Sequence, residues 1–258
     1  MYHGERLNAW THLIGAVAAC TGAVWLTVQA SLNGSPWKIV GVGVYGVTLT
    51  LLYSISTAYH SVRGRAKVVM RKLDHLSIYL LIAGSYTPFC LVTLRGPWGW
   101  TLFGIVWGLA VLGMLQEIKP RSEARVLSVV IYAVMGWIVL IAVKPLLAAL
   151  GSAGFTWLAA GGVLYTVGIV FYAYDHRFRH WHGIWHLFVI AGSSSTSWRS
   201  GATYSRRGPA RSSGSWSRRR LSLFSSATAR CTPPRSARRR RWSARPAPRS
   251  RTASPSRR

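Results

Sequence analysis

His182 and His186 stand four residues apart in the stretch Trp181-His182-Gly183-Ile184-Trp185-His186. On a helix that spacing puts both side chains on one face, a turn apart. Neutral imidazole is the commonest protein ligand of transition metals, so such a pair can hold one ion. Elsewhere in the chain His60 offers a third imidazole and Asp74 a carboxylate, with Ser56 one turn before His60. Three imidazoles around zinc leave a fourth position for water, which is what separates catalytic zinc from closed structural zinc. Zinc brings the pKa of that water toward 7, and a nearby carboxylate can take its proton. In this scheme His60, His182 and His186 are the metal ligands and Asp74 is the general base. Ser56 donates a hydrogen bond to a developing oxyanion. The chemistry is hydrolysis of an amide or an ester.

Apolar runs must position these groups. They lie at about 9–32, 39–60, 73–94, 100–118, 126–143 and 155–174, and a seventh begins near Trp181. Six of them approach the roughly 20 residues that cross about 30 Å of hydrocarbon. Backbone in lipid must satisfy its own hydrogen bonds, so each run is expected to be a helix. Pro88 should kink the third. Ser61–Lys72 reads as a basic linker, and Lys144-Pro145 as the end of the fifth run. The fold class expected is an all-α integral membrane bundle of seven helices.

If the helices alternate, the N-terminus and the loops after runs two, four and six share one side. That side carries eleven Lys and Arg, against three (Lys38, Arg95, Lys144) on the other. The positive-inside rule then puts the N-terminus in the cytoplasm, in a plasma or inner membrane. His60, Asp74, His182 and His186 all fall at helix ends on this same side, although none of them entered the count. The substrate implied is therefore a membrane lipid.

The formal net charge of +27 does not make the whole chain a nucleic-acid binder. Residues 193–258 carry 18 Arg and no acid, two thirds of that charge, and the bundle itself is not expected to bind nucleic acid. Cys20, Cys90 and Cys231 are too scattered for a disulfide framework or a cysteine metal site. No secretory signal peptide is expected, because the first run is too long and lacks a basic lead. Trp10, Trp37, Trp98, Trp100 and Trp181 fall where an interfacial aromatic belt explains them. His12 reads as a hydrogen-bonding neighbour of the site. His75, about 100° round the helix from Asp74, is expected to face elsewhere, and His176 and His180 are loop residues.

The order Ser56-x-x-x-His60, Asp74, His182-x-x-x-His186 resembles the bacterial hemolysin III family. So do Gly4-Glu5-Arg6-Leu7-Asn8-Ala9-Trp10-Thr11-His12, Asp74-His75 through Tyr86-Thr87-Pro88, and His182 through Phe188. That family belongs with the progestin and adiponectin receptors and, more distantly, the alkaline ceramidases. The resemblance spans about residues 4–192. It implies a seven-helix bundle with zinc on His60, His182 and His186, Asp74 near the attacking water, and Ser56 as a helper. It leaves activity open between two classes. One is a zinc-dependent lipid amide or ester hydrolase. The other is a non-enzymatic protein, lytic or engaged in lipid homeostasis, whose zinc is structural. Oligomeric state is not implied.

The seventh run stops at Gly192 after 12 residues, about 18 Å of helix, too short to cross. A truncated seventh helix is expected, and residues 1–192 form the bundle. Residues 193–258, rich in Arg, Ser and Pro, read as a disordered basic extension able to meet anionic lipid or nucleic acid, or as a shifted reading frame.

Overall fold

The computed structural model describes residues 4–32, 35–118, 124–178 and 180–205. Among these residues there is no strand. Seven α-helical segments follow one another: α1 Arg6–Leu32, α2 Pro36–Ser61, α3 Gly64–Pro88, α4 Pro97–Ile118, α5 Ala124–Trp137, α6 Val143–Ala173 and α7 Trp181–Ser205. Five stretches among the described residues are long and apolar enough to cross a membrane, the last being the 48-residue stretch Val126–Ala173. Large apolar side chains point outward along them, among them Ile14, Val17, Leu112, Val126 and Ile141, each more than 60% exposed. A water-soluble chain does not present so much apolar surface, whereas a lipid-facing one must.

Helix boundaries follow from local chemistry. Pro36 opens α2 at the first helical position, where a missing N–H costs nothing. The expected linker Ser61–Lys72 shrinks to Val62 and Arg63, because Arg, Ala, Lys and Met favour helix and carry α3 back to Gly64. Gly64 itself sits at φ +62°, a conformation that suits glycine. Pro88 produces the expected irregularity. With no N–H to give the carbonyl a turn earlier, it is followed by a π-helical segment, Phe89–Thr93.

Lys144-Pro145 does not end the fifth run. Pro145 falls in the first turn of α6, where proline is tolerated. The irregularity comes earlier, in the 3-10 segment Ile138–Ala142. The Tyr86 hydroxyl intrudes there. It donates to the carbonyls of Met135 and Gly136, both at 2.8 Å, and accepts from the Val139 N–H. A side chain inserted into the ladder in this way breaks helical regularity. The reversal itself lies at Gly151, which has φ 68° and ψ 172° inside α6. Trp137 Nε1 donates to Thr166 Oγ1 at 3.0 Å, so residues almost equidistant from Gly151 face each other.

The truncated seventh helix is corrected: α7 runs on through Gly192 to Ser205, 25 residues, about 38 Å. Its polar turns satisfy their hydroxyls within the helix and across to neighbouring helices. Ser194, Ser195 and Thr196 donate to the carbonyls of Ile190, Ala191 and Gly192. Ser193 Oγ meets the hydroxyls of Tyr53 and Tyr165 at 3.2 and 2.6 Å, and Tyr45 donates to the Ser193 carbonyl. Counting apolar residues could not see this, because the partners lie on α2 and α6. The boundary expected at residue 192 therefore falls inside a helix. The rest of the expected tail, from 206 on, lies outside the described residues.

Two larger buried clusters, beside a small one of Leu26, Ala30 and Val42, hold the helices together. One gathers Tyr79, Met135 and Leu146 between α3, α4, α5 and α6. The other gathers Tyr45, Leu49, Tyr53 and Val189 between α1, α2, α3 and α7. The starts of α1, α3 and α7 and the end of α2 meet at one end of the molecule, where Glu5 touches both His60 and Lys67.

Candidate metal centre

That end holds a cavity of about 1000 Å³, lined by His12, Ser56, His60, Asp74, His182 and His186 among others. His60 arrives from the last turn of α2, and His182 and His186 from the first turns of α7. One ligand atom from each of the three lies within 4.8 Å of the others. Ring centres are 5.1 Å apart for His60–His182, 5.0 Å for His60–His186 and 4.7 Å for His182–His186. His60 and His186 are 2% and 1% exposed, so water does not solvate their nitrogens.

Their partners fix the tautomers. His60 Nδ1 lies 2.6 Å from Glu5 Oε2, and His182 Nδ1 lies 2.7 Å from Asp175 Oδ2. An ionised carboxylate only accepts, so each Nδ1 carries the proton and donates. His186 Nδ1 faces the Asn8 carbonyl and Thr11 Oγ1, both at 3.3 Å. Thr11 spends its own proton on helix carbonyls, so here too Nδ1 is the donor. The lone pairs are left on Nε2. On His60 and His182 that nitrogen is buried without a hydrogen-bond partner. Buried acceptors with nothing to accept are costly and uncommon. A divalent cation resolves the cost for both, and neutral imidazoles with free Nε2 atoms are what it needs.

Asp74 and Ser56 join the same cavity. Ser56 is 2% exposed and hydrogen-bonds the Asp74 carboxyl. The Ser56 hydroxyl is thus engaged with Asp74 rather than standing free for an oxyanion. Glu5, just outside α1, is held well below the usual carboxylate range by the His60 hydrogen bond, with Lys67 assisting against the opposing effect of burial.

His12 is 3% exposed, and neither of its ring nitrogens has a partner. It stacks on His186 with centroids 3.5 Å apart and planes 16° from parallel. Metal bonds lie in the imidazole plane, so two nearly parallel rings at that spacing cannot both aim at one ion. His12 is a neighbour of the cluster, but it stacks on His186 rather than hydrogen-bonding as its sequence context predicts. His75 departs from expectation by lining the same cavity, where Nδ1 donates to Glu117 Oε1 at 2.6 Å. His176 and His180 are exposed in or beside the α6–α7 loop. The sequence reading missed Glu5, Asp175 and Glu117. The available signal was scarcity, since five acids in 258 residues leave few that are not beside a histidine.

Outward-facing apolar helices around a buried three-histidine cluster define a helical membrane protein with a site able to hold a metal. A family model described as Haemolysin-III related matches residues 1–196. The chain is 44% identical over 191 residues to Hemolysin-3 of Bacillus cereus, covering 74% of this chain and 87% of that protein. It is 45% identical over 191 residues to the Hemolysin-3 homolog of Bacillus subtilis strain 168, covering 74% and 89%. A more distant likeness, 28% over 194 residues, covers 72% of this chain and 79% of the Monocyte to macrophage differentiation factor of Homo sapiens. The chain belongs to the haemolysin III family.

Proposed function

We propose that the protein is a seven-crossing, zinc-dependent hydrolase of a membrane lipid amide or ester, with its site at the cytoplasmic face. The observation that carries this reading is the pair of buried, unpartnered Nε2 atoms on His60 and His182 beside His186. Three imidazoles and no thiolate suit zinc with an open position. The seven crossings follow from counting Val126–Ala173 as a hairpin reversing at Gly151 and adding α7 to the other four stretches. The basic loops put the site inside the cell.

Bound zinc supplies a Lewis acid that polarises a carbonyl and acidifies water. The chain's residues do the rest. His60, His182 and His186 hold the ion, each with its proton on Nδ1. Asp74 accepts the proton of the attacking water and passes it to the leaving amine or alkoxide. Ser56 hydrogen-bonds Asp74 and holds that carboxyl in place, a positioning role in place of the oxyanion role its type first implies. Apolar cavity walls, Leu52, Ile78, Leu81 and Val189 among them, take the acyl chain.

The names of the Bacillus relatives favour a second reading, a lytic protein, in which the zinc would be structural. The experiment that separates the two is zinc analysis and turnover of a fluorescent N-acyl lipid by the purified chain in detergent. In the hydrolase, His60→Ala loses zinc and turnover, while Asp74→Asn keeps zinc and loses turnover. Asp74→Asn that leaves turnover and membrane phenotype unchanged supports the structural zinc.

A further inference from the structure

Two of the three histidines of the cluster are backed by carboxylates from outside the helices that carry them. Glu5 precedes α1 and reaches His60 at the end of α2. Asp175 lies in the loop before α7 and reaches His182 in its first turn. Both contacts are short, 2.6 and 2.7 Å, and both carboxylates are largely shielded, at 23% and 13% side-chain exposure. Glu5 is itself clamped by Lys67 Nζ at 2.8 Å and Asn8 Nδ2 at 3.1 Å. His186 has only neutral partners, both at 3.3 Å. Three neutral imidazoles bring no negative charge to a dication beside hydrocarbon, and isolated charge there is expensive.

Resting on the metal-centre reading above, we infer that Glu5 and Asp175 are positioning residues of the centre. Each fixes the Nδ1–H tautomer of one ligand, aims its Nε2 inward, and supplies a negative charge against the cation. Ligating histidines are commonly oriented this way, and loss of such a partner typically weakens metal binding by about 10–100-fold. The molecule contains its own control. His75–Glu117 is a third histidine–carboxylate pair with the same 2.6 Å contact on the same cavity, but His75 is not in the cluster.

The test is zinc affinity of the full-length chain in detergent, measured by chelator competition, with cobalt absorption as a second readout. Glu5→Gln and Asp175→Asn keep an acceptor for Nδ1 but remove the charge. Glu5→Ala and Asp175→Ala remove both. Affinity is expected to fall by about tenfold or more in the first pair and further in the second, with an altered cobalt spectrum. Glu117→Gln should stay within about twofold of the unaltered chain. Size-exclusion profile and helical circular dichroism identify any variant that fails to fold, and for it Glu5→Asp or Asp175→Glu, which retains the charge, must recover affinity. The inference is overturned if folded Glu5 and Asp175 variants bind zinc like the unaltered chain, or if Glu117→Gln weakens binding as much. An unaltered chain that binds no zinc removes the metal-centre reading and this inference with it. Absence of lipid turnover removes neither.

Discussion

At the scale of single residues, His12 separates proximity from ligation. It lies against His186 and is as buried as the ligands, yet its ring plane cannot be shared with theirs. Phenylalanine keeps the stack and discards only the nitrogens. His12→Phe is therefore expected to keep zinc content within about twofold, whereas His186→Ala loses it, as metal analysis of the purified chains will report. Asp74 is the converse case, near the cluster but outside it. Asp74→Asn should lower turnover of an N-acyl lipid by about 10²–10⁴-fold while zinc content stays. The three-histidine cluster was legible in the sequence because histidines at helical spacing are rare and chemically marked. Glu5 and Asp175 were not, since a carboxylate near a helix start has ordinary reasons to be there. Only the convergence of α1, α2 and the α6–α7 loop gives each of them a histidine to hold.

At the scale of elements, what matters is how closely helices approach and where they break. A Cβ on Gly84 would collide with Thr48, and one on Gly113 with the Tyr79 ring. These are packing positions at the α2–α3 and α3–α4 contacts. Gly84→Ala should destabilise the folded chain by about 1–3 kcal/mol, read as a lower midpoint of thermal unfolding in detergent. Tyr86 is the second such place. Tyr86→Phe removes the hydroxyl that occupies Met135, Gly136 and Val139, and loss of the midpoint is expected to be comparable, about 1–3 kcal/mol. Run lengths in the sequence locate α1, α2 and α4 well, because apolar content and spanning length coincide there. They misplace the end of the fifth run. Lys144-Pro145 carries the stronger breaker signal, but the left-handed backbone is at Gly151.

At the scale of the whole molecule, among the described residues the hydrogen bonds of the cluster come from within 5–186. A chain ending after Ser205 should therefore bind zinc like the full chain, while one ending after Gly192 should unfold at lower temperature. The second loses Ser193 and with it the hydrogen bonds of Tyr45, Tyr53 and Tyr165. Thermal unfolding and zinc analysis of the two truncations check both outcomes. The amino-acid order alone determined that the chain is helical, that it belongs in lipid, and which imidazoles can share an ion, because hydropathy and residue chemistry are local properties. Tertiary structure decided that α7 continues past its apolar half, that Ser56 hydrogen-bonds Asp74, and that Glu5 and Asp175 stand behind two histidines of the cluster. Those outcomes depend on which side chains meet across helices, and a polar group in a bundle is tolerated or ruinous according to the partner it finds there.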